Sequence, residues 1–245
     1  MSLSLLLRLL LWLVIAAVLF EAVRSARLIW IGRAVAARSV PFERRLSNAD
    51  FRILVVGDST ARGTGAGDPS GSVAGGIGAI FPEASIENRG VNGARTAEIV
   101  AQVPLDVGQP YDLLVVHAGG NDILRFTPLQ RLQSDLETLL DRAVKAGEVV
   151  VLLTAGNVGL APFFSPPIGW IYTARTRRVR QMFMETARAK GAHYVDLFTE
   201  RKDDVFLTDP PRYYAPDFLH PSSEGYRVWF LGVVKVLRGA GVRGE

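Results

Sequence analysis

The chain contains no cysteine among its 245 residues. That excludes a disulfide framework, a thiolate metal site and a cysteine nucleophile, and it leaves the compartment open. Net positive charge is also lacking over most of the chain. The formal net charge is +4, yet residues 1–45 hold seven arginines against two glutamates (+5), and residues 46–245 hold 21 basic against 22 acidic side chains (−1). A nucleic-acid-binding domain carries its own basic face, so no nucleic-acid partner is expected. The basic arm instead suits anionic lipid. Internal repeats are absent as well. With 49% hydrophobic residues the chain has enough apolar material for a full core.

One long apolar run is present, Leu3 to Val23, broken only by Ser4, Arg8 and Glu21. As a helix it spans about 31 Å at ~1.5 Å per residue, enough for a bilayer core. Arg8 lies near one end, within snorkelling reach of the headgroups. A cleaved signal peptide is the alternative, but Glu21–Ala26 is charged and makes a poor cleavage site. A retained membrane helix is therefore the favoured expectation. Arg24, Arg27, Arg33 and Arg38 follow the run, so the positive-inside rule favours a cytoplasmic C-terminal domain; a signal-anchor reading puts it outside. Arg27–Arg38 reads either as a basic amphipathic helix on the membrane surface or as a helical extension of the anchor. Residues 3–38 are thus the expected lipid contact. Pro41–Ala49 is polar and turn-prone, which divides the chain into a membrane and connector segment, 1–50, and a globular domain, 51–245.

The globular domain opens on Phe51–Gly63, FRILVVGDSTARG. Ile53–Val56 reads as a strand buried on both faces. Gly57 permits a sharp turn after it, leaving Ser59 at the strand's carboxyl end, the edge of an open α/β sheet where ligands bind. Further strands are expected at Ser85–Asn88, Leu113–His117, Val149–Leu153 and His193–Leu197. Helices are expected at Thr96–Val103, Pro128–Gly147, Tyr172–Lys190 and Ser222–Leu237, the last with Ser222 or Ser223 as its N-cap. Alternating strands and helices imply a five-stranded parallel sheet in a three-layer α/β/α domain. Gly63–Gly78 reads as a Gly-rich loop. It fails both phosphate-binding patterns, with Asp68 where a dinucleotide site needs Gly and Arg62–Gly63 where a P-loop needs Gly-Lys.

Three strand ends carry small-polar clusters, and a fourth cluster, Asp217–Pro221, precedes the last helix. Ser59 is the candidate nucleophile, and His220 the base best placed to titrate near neutral pH. Asp217, three residues earlier, has the spacing to reach the other imidazole nitrogen and fix its tautomer. The Ser59 and Gly93 N–H groups and the Asn121 amide are candidate oxyanion donors. Asp58 and Asp122 read as structural hydrogen-bonding residues, and His117 and His193 as structural. Asn92 and Arg95 are candidate substrate contacts.

These residues give the sequence its resemblance to the SGNH hydrolases, also called the GDSL esterase/lipase family. Four blocks match in order: Gly57-Asp58-Ser59, Asn88 to Gly93, Gly119-Gly120-Asn121-Asp122, and Asp217-x-x-His220. The resemblance spans about Phe51 to Leu237. It implies a flavodoxin-like fold and a Ser59–His220–Asp217 triad. Ser59, Gly93 and Asn121 would form the oxyanion hole, with no metal or cofactor. The activity implied is carboxylic-ester hydrolysis, esterase or lipase-like, on an acylated lipid or small ester. Removal of O-acetyl groups from an envelope polysaccharide, and a non-catalytic lipid- or glycan-binding domain, are the alternatives. The sequence departs from the family at Thr60, where the family name has Leu, at Phe218, where many members have Gly, and at Arg95, where several have an acid or small polar residue. Asn157–Tyr172 is an apolar, Pro-rich stretch that reads as an acyl pocket or a segment dipping toward the membrane. Arg175, Arg177, Arg178 and Arg180 follow it, as lipid-headgroup contacts or a solvated helix face.

Overall fold

A computed structural model describes residues 2–106 and 108–242; residues 1, 107 and 243–245, which fall in the expected segments, lie outside it. The chain begins with one continuous helix, α1 (Leu3–Arg38). There follow β1 (Arg52–Gly57), α2 (Ser59–Arg62), α3 (Val73–Ile80), β2 (Ser85–Asn88), α4 (Thr96–Ile99), β3 (Tyr111–His117), α5 (Gly120–Leu124), α6 (Leu129–Ala146), β4 (Gly147–Leu153), α7 (Pro166–Lys190), β5 (His193–Val195), α8 (Pro210–Tyr213) and α9 (Ser223–Gly239).

The five strands form one parallel sheet in the order β2-β1-β3-β4-β5. Successive side chains of a strand point to opposite faces, and here both faces are buried. Leu54, Val56, Leu114 and Val116 meet Ile99, Leu132, Leu136, Val179 and Phe183 of α4, α6 and α7. Ile53, Val55, Leu113 and Val115 meet Val73, Ile77, Tyr226, Trp229 and Val233 of α3 and α9. This is the expected three-layer α/β/α fold. The order reverses between β1 and β3, and such a switch point opens a crevice at the strands' carboxyl ends. The segments carrying Ser59 and Asn121 leave the sheet at those two strands.

Several elements differ from the sequence reading. The Gly-rich stretch contains α3, capped by Ser72, whose Oγ accepts from Gly75 N at 3.0 Å. Its glycines admit bulky neighbours: a Cβ at Gly76 would lie 2.8 Å from the Phe230 ring, and one at Gly78 2.4 Å from the Phe42 ring. α7 starts at Pro166, six residues before the expected start, with Ser165 at its N-cap and prolines in its first turn, where a missing N–H costs no hydrogen bond. The Thr96–Val103 helix is a short α4 ending in a 3₁₀ turn, Val100–Gln102.

The amino-terminal arm also differs from a free tether. Residues 27–38 continue α1, as the helical-extension reading has it, and this half lies against the domain. Leu28 is buried. The Arg24 guanidinium donates to the carbonyls of Pro162 at 3.1 Å and Phe163 at 2.8 Å. Arg62 Nε donates to the Ser39 carbonyl at 3.1 Å. In the connector, Arg44 and Ile86 exchange backbone hydrogen bonds at 3.0 and 2.6 Å, adding a one-residue antiparallel bridge to the β2 edge.

Candidate active site

At Gly57 the end of β1 runs so close to β3 that a Cβ there would lie 2.3 Å from the His117 carbonyl. Asp58 caps α2 through Oδ1, which accepts from Thr60 N and Thr60 Oγ1 at 2.8 Å each. Its carboxyl is buried, and burial pushes its pKa up despite those bonds. The cap fixes the first turn of α2 and with it Ser59, which is 8% exposed. Asn88, at the end of β2, braces this turn: its Nδ2 donates to the Ala61 carbonyl at 2.8 Å.

His220 reaches Ser59 from the loop before α9. Its Nε2 lies 3.0 Å from Ser59 Oγ and its Nδ1 2.6 Å from Asp217 Oδ2. An ionised carboxylate only accepts, so Nδ1 carries the proton and Nε2 is left to accept from the serine hydroxyl. Asp217 Oδ1 accepts from the backbone N–H groups of Leu219 and His220 at 3.0 Å each. Burial of Asp217, 1% exposed, acts to raise its pKa, but the His220 hydrogen bond and charge and the two backbone donors outweigh it. The carboxyl is therefore held below its ordinary range. Phe218, between these residues, sits at φ +55°. A left-handed backbone is costly for a side-chain-bearing residue and is the conformation that a Gly would adopt freely. Its carbonyl accepts from Phe163 N at 3.1 Å.

The segments after β2 and β3 meet on the opposite side of Ser59. Asn121 Nδ2 donates to the Ala94 carbonyl at 3.1 Å, leaving a second amide hydrogen. Asp122, buried beside it, accepts from Thr96 N at 2.9 Å and Thr96 Oγ1 at 2.8 Å. These bonds lock the Asn121 turn to the Gly93 turn, where φ is +79°. Among the described residues, the N–H groups of Ser59 and Gly93 have no hydrogen-bond acceptor.

Ser59, Asn92, Gly93, Asn121 and His220 line one cleft of about 380 Å³. Val158, Ala161, Leu197, Phe206 and Trp229 supply apolar lining, with Asp196, Asp203 and Asp204 also at its wall. Arg95 does not line the cleft, and its guanidinium pairs with Glu98 at 3.2 Å. Asn92 does line it, but its amide donates to the Ala36 carbonyl at 2.9 Å and its Oδ1 accepts from Thr64 Oγ1 at 2.7 Å. His117 is buried under Thr60, whose Oγ1 lies 3.2 Å from Nδ1; burial pushes its pKa down to about 3. His193 is exposed at the start of β5. The arginine cluster on α7 is mostly engaged: Arg177 pairs with Glu200 at 2.7 Å, Arg180 Nε with Asp196 at 2.8 Å, and Arg175 with the Thr127 carbonyl. Among the described residues no group of three His, Asp or Glu side chains is gathered to hold a metal.

Two residues of α1 at the site have no counterpart in the sequence reading. Ala36 lines the cleft. Gly32 lies on Asp217: a Cβ at 32 would stand 3.3 Å from Oδ2 and 3.6 Å from the Asp217 Cβ. Their spacing is the available signal, because small residues four apart let a helix approach its neighbour closely.

Residues 55–228 match the GDSL-like lipase/acylhydrolase family. The GDSL-like esterase Rv1075c of Mycobacterium tuberculosis is 27% identical over 197 residues, covering 77% of this chain; the chain spans 60% of that protein's length. Among solved structures, TesA superposes with a TM-score of 0.60 at 22% identity, covering 77% of this chain and 98% of TesA. A member of the lipolytic G-D-S-L family from Veillonella parvula gives 0.62 at 18% identity, covering 77% and 98%.

Proposed function

Because the chain belongs to the GDSL-like lipase/acylhydrolase family, we propose that it is a membrane-anchored serine hydrolase of carboxylic esters. One observation carries the reading: a single imidazole spans Ser59 Oγ at 3.0 Å and the Asp217 carboxylate at 2.6 Å.

In this mechanism Ser59 Oγ attacks the ester carbonyl as its proton passes to His220 Nε2. Asp217 holds the Nδ1 proton and stabilises the imidazolium. The tetrahedral oxyanion sits at the N–H groups of Ser59 and Gly93 and the free amide hydrogen of Asn121. His220 then delivers its proton to the departing alcohol. Water, activated by the same imidazole, hydrolyses the acyl-enzyme. The apolar lining residues of the cleft receive the acyl group. α1 is the retained anchor: its second half contributes contacts to the domain and to the cleft, which favours retention over removal as a signal peptide.

The test is hydrolysis of short p-nitrophenyl esters by the wild type and Ser59→Ala, with an active-site phosphonate as label. The reading expects the label on Ser59 and loss of turnover in the variant. Wild-type turnover by Ser59→Ala would defeat it. A phosphonate that leaves Ser59 unlabelled would favour a non-catalytic binding domain.

A further inference from the structure

Two apolar features meet at one level of α1, and the chemistry above uses neither. The first is Leu3–Phe20, whose large side chains stand exposed along the helix, Leu7, Trp12, Leu13 and Phe20 among them. The second is the opening of α7. After Pro166 and Pro167, the side chains of Ile168, Trp170 and Ile171 are 40%, 69% and 57% exposed. Large apolar groups clustered on a surface mark a binding face. Trp170 and Ile171 lie outside the cleft lining, so this face is not an extension of the pocket.

Arg24 joins the two. It lies four residues beyond Phe20, about 6 Å along the helix at ~1.5 Å per residue. Its guanidinium holds the Pro162 and Phe163 carbonyls and, on the other side, Glu21 at 2.6 Å. The segment that leads into α7 is thereby pinned beside α1 where its apolar run ends. A lipid bilayer that takes up Leu3–Phe20 ends at that same level.

We propose that the turn Pro166–Ile171 is a second membrane contact, seating Trp170 and Ile171 in the headgroup layer beside α1, and that the enzyme acts on esters carried by bilayer lipids or amphiphiles. This rests on the reading of α1 as a retained anchor and of Ser59 as the nucleophile. Continuity with the apolar helix selects lipid as the occupant. An indole, apolar with one polar N–H, suits that interface. A single helix leaves a domain free to rotate about it; a second contact fixes which way the cleft faces.

The absence of cysteine allows a unique label. In the full chain in phosphatidylcholine nanodiscs, Trp170→Cys carries a polarity-sensitive fluorophore, with Glu148→Cys, exposed at the start of β4, as the aqueous control. The label at 170 is expected to report an apolar setting and to be quenched by brominated lipid, and the label at 148 to do neither. In parallel, Trp170→Asp with Ile171→Asp should lower hydrolysis of a fluorogenic ester embedded in the nanodisc on the order of tenfold. Hydrolysis of soluble p-nitrophenyl acetate should stay within about twofold, a change too small to reflect a lost binding contact. A label at 170 that behaves like the one at 148, or charge substitutions that change both activities equally or neither, would overturn the proposal. A wild type that hydrolyses neither ester while the label at 170 reports lipid would instead overturn the hydrolase reading alone.

Discussion

Gly32 of the amino-terminal helix lies directly on the carboxylate of Asp217. The site's acid is therefore shielded from one side by a segment that lies outside the α/β layers. Gly32→Val would push methyl groups into a space where even a single added Cβ would stand only 3.3 Å from Oδ2. The expected result is a fall in kcat of about 10- to 100-fold, the size of effect a misplaced catalytic group produces, with the melting temperature largely kept. Steady-state kinetics beside a thermal melt checks it, and Gly32→Ala should fall between the two.

Asn121→Ala removes a proposed oxyanion donor and a hydrogen bond to Ala94. Turnover should drop by about 10²–10³, while stability changes by about 0.5–1.5 kcal/mol. Asp122→Ala should give the reverse balance, because it strips two bonds from buried Thr96 groups at a stability cost of about 1–3 kcal/mol.

Phe218→Gly relieves a backbone held at φ +55° but gives up a half-buried ring. The two effects are of opposite sign and similar size, so stability should stay within about 1–2 kcal/mol of the wild type. Phe218→Val loses packing and keeps the strain, and should melt well below Phe218→Gly. Equal melting of the two variants would show that the backbone at 218 is not strained.

His117 gives the protein an acid-sensitive term. It is buried neutral with its pKa pushed down to about 3 from an ordinary 6.5, so below pH 6.5 the unfolded chain binds a proton the folded chain refuses. Stability should therefore be full above that pH and fall by up to about 1.4 kcal/mol per unit as pH drops toward 3. Asp217, held below its ordinary 3.8, keeps its contribution above that pH and loses it as pH falls from there through its depressed folded-state value. Melting curves from pH 7 to 4.5 should flatten in His117→Gln.

The sheet and the four polar clusters were legible because they are local. Apolar runs such as Ile53–Val56 and Leu113–Val116 announce strands buried on both faces, and each ends in residues whose chemistry is plain. The three-residue spacing of Asp217 and His220 put acid and base in one loop. What escaped lies in contacts between distant segments. Gly32 and Ala36 touch the site through little more than backbone, and their four-residue spacing marks a face for close packing without saying what packs there. α3 was hidden by its own glycines, whose purpose is to admit the Phe230 and Phe42 rings. Arg95 looked available because its partner Glu98 becomes a neighbour only once the turn of α4 forms. Asn92 lines the cleft, with its amide donors committed to the Ala36 carbonyl and the Ser39 hydroxyl.

The bridge between Arg44 and Ile86 has a consequence beyond local order. β2 is an outer strand, and an outer strand with open backbone groups invites another molecule to extend the sheet. Here the chain's own connector occupies the middle of that rim, and the Arg44 guanidinium rivets it to the carbonyls of Gly78, Phe81 and Pro82. The opposite rim is β5, only three residues long. Copies that meet rim to rim therefore find little backbone by which to stick.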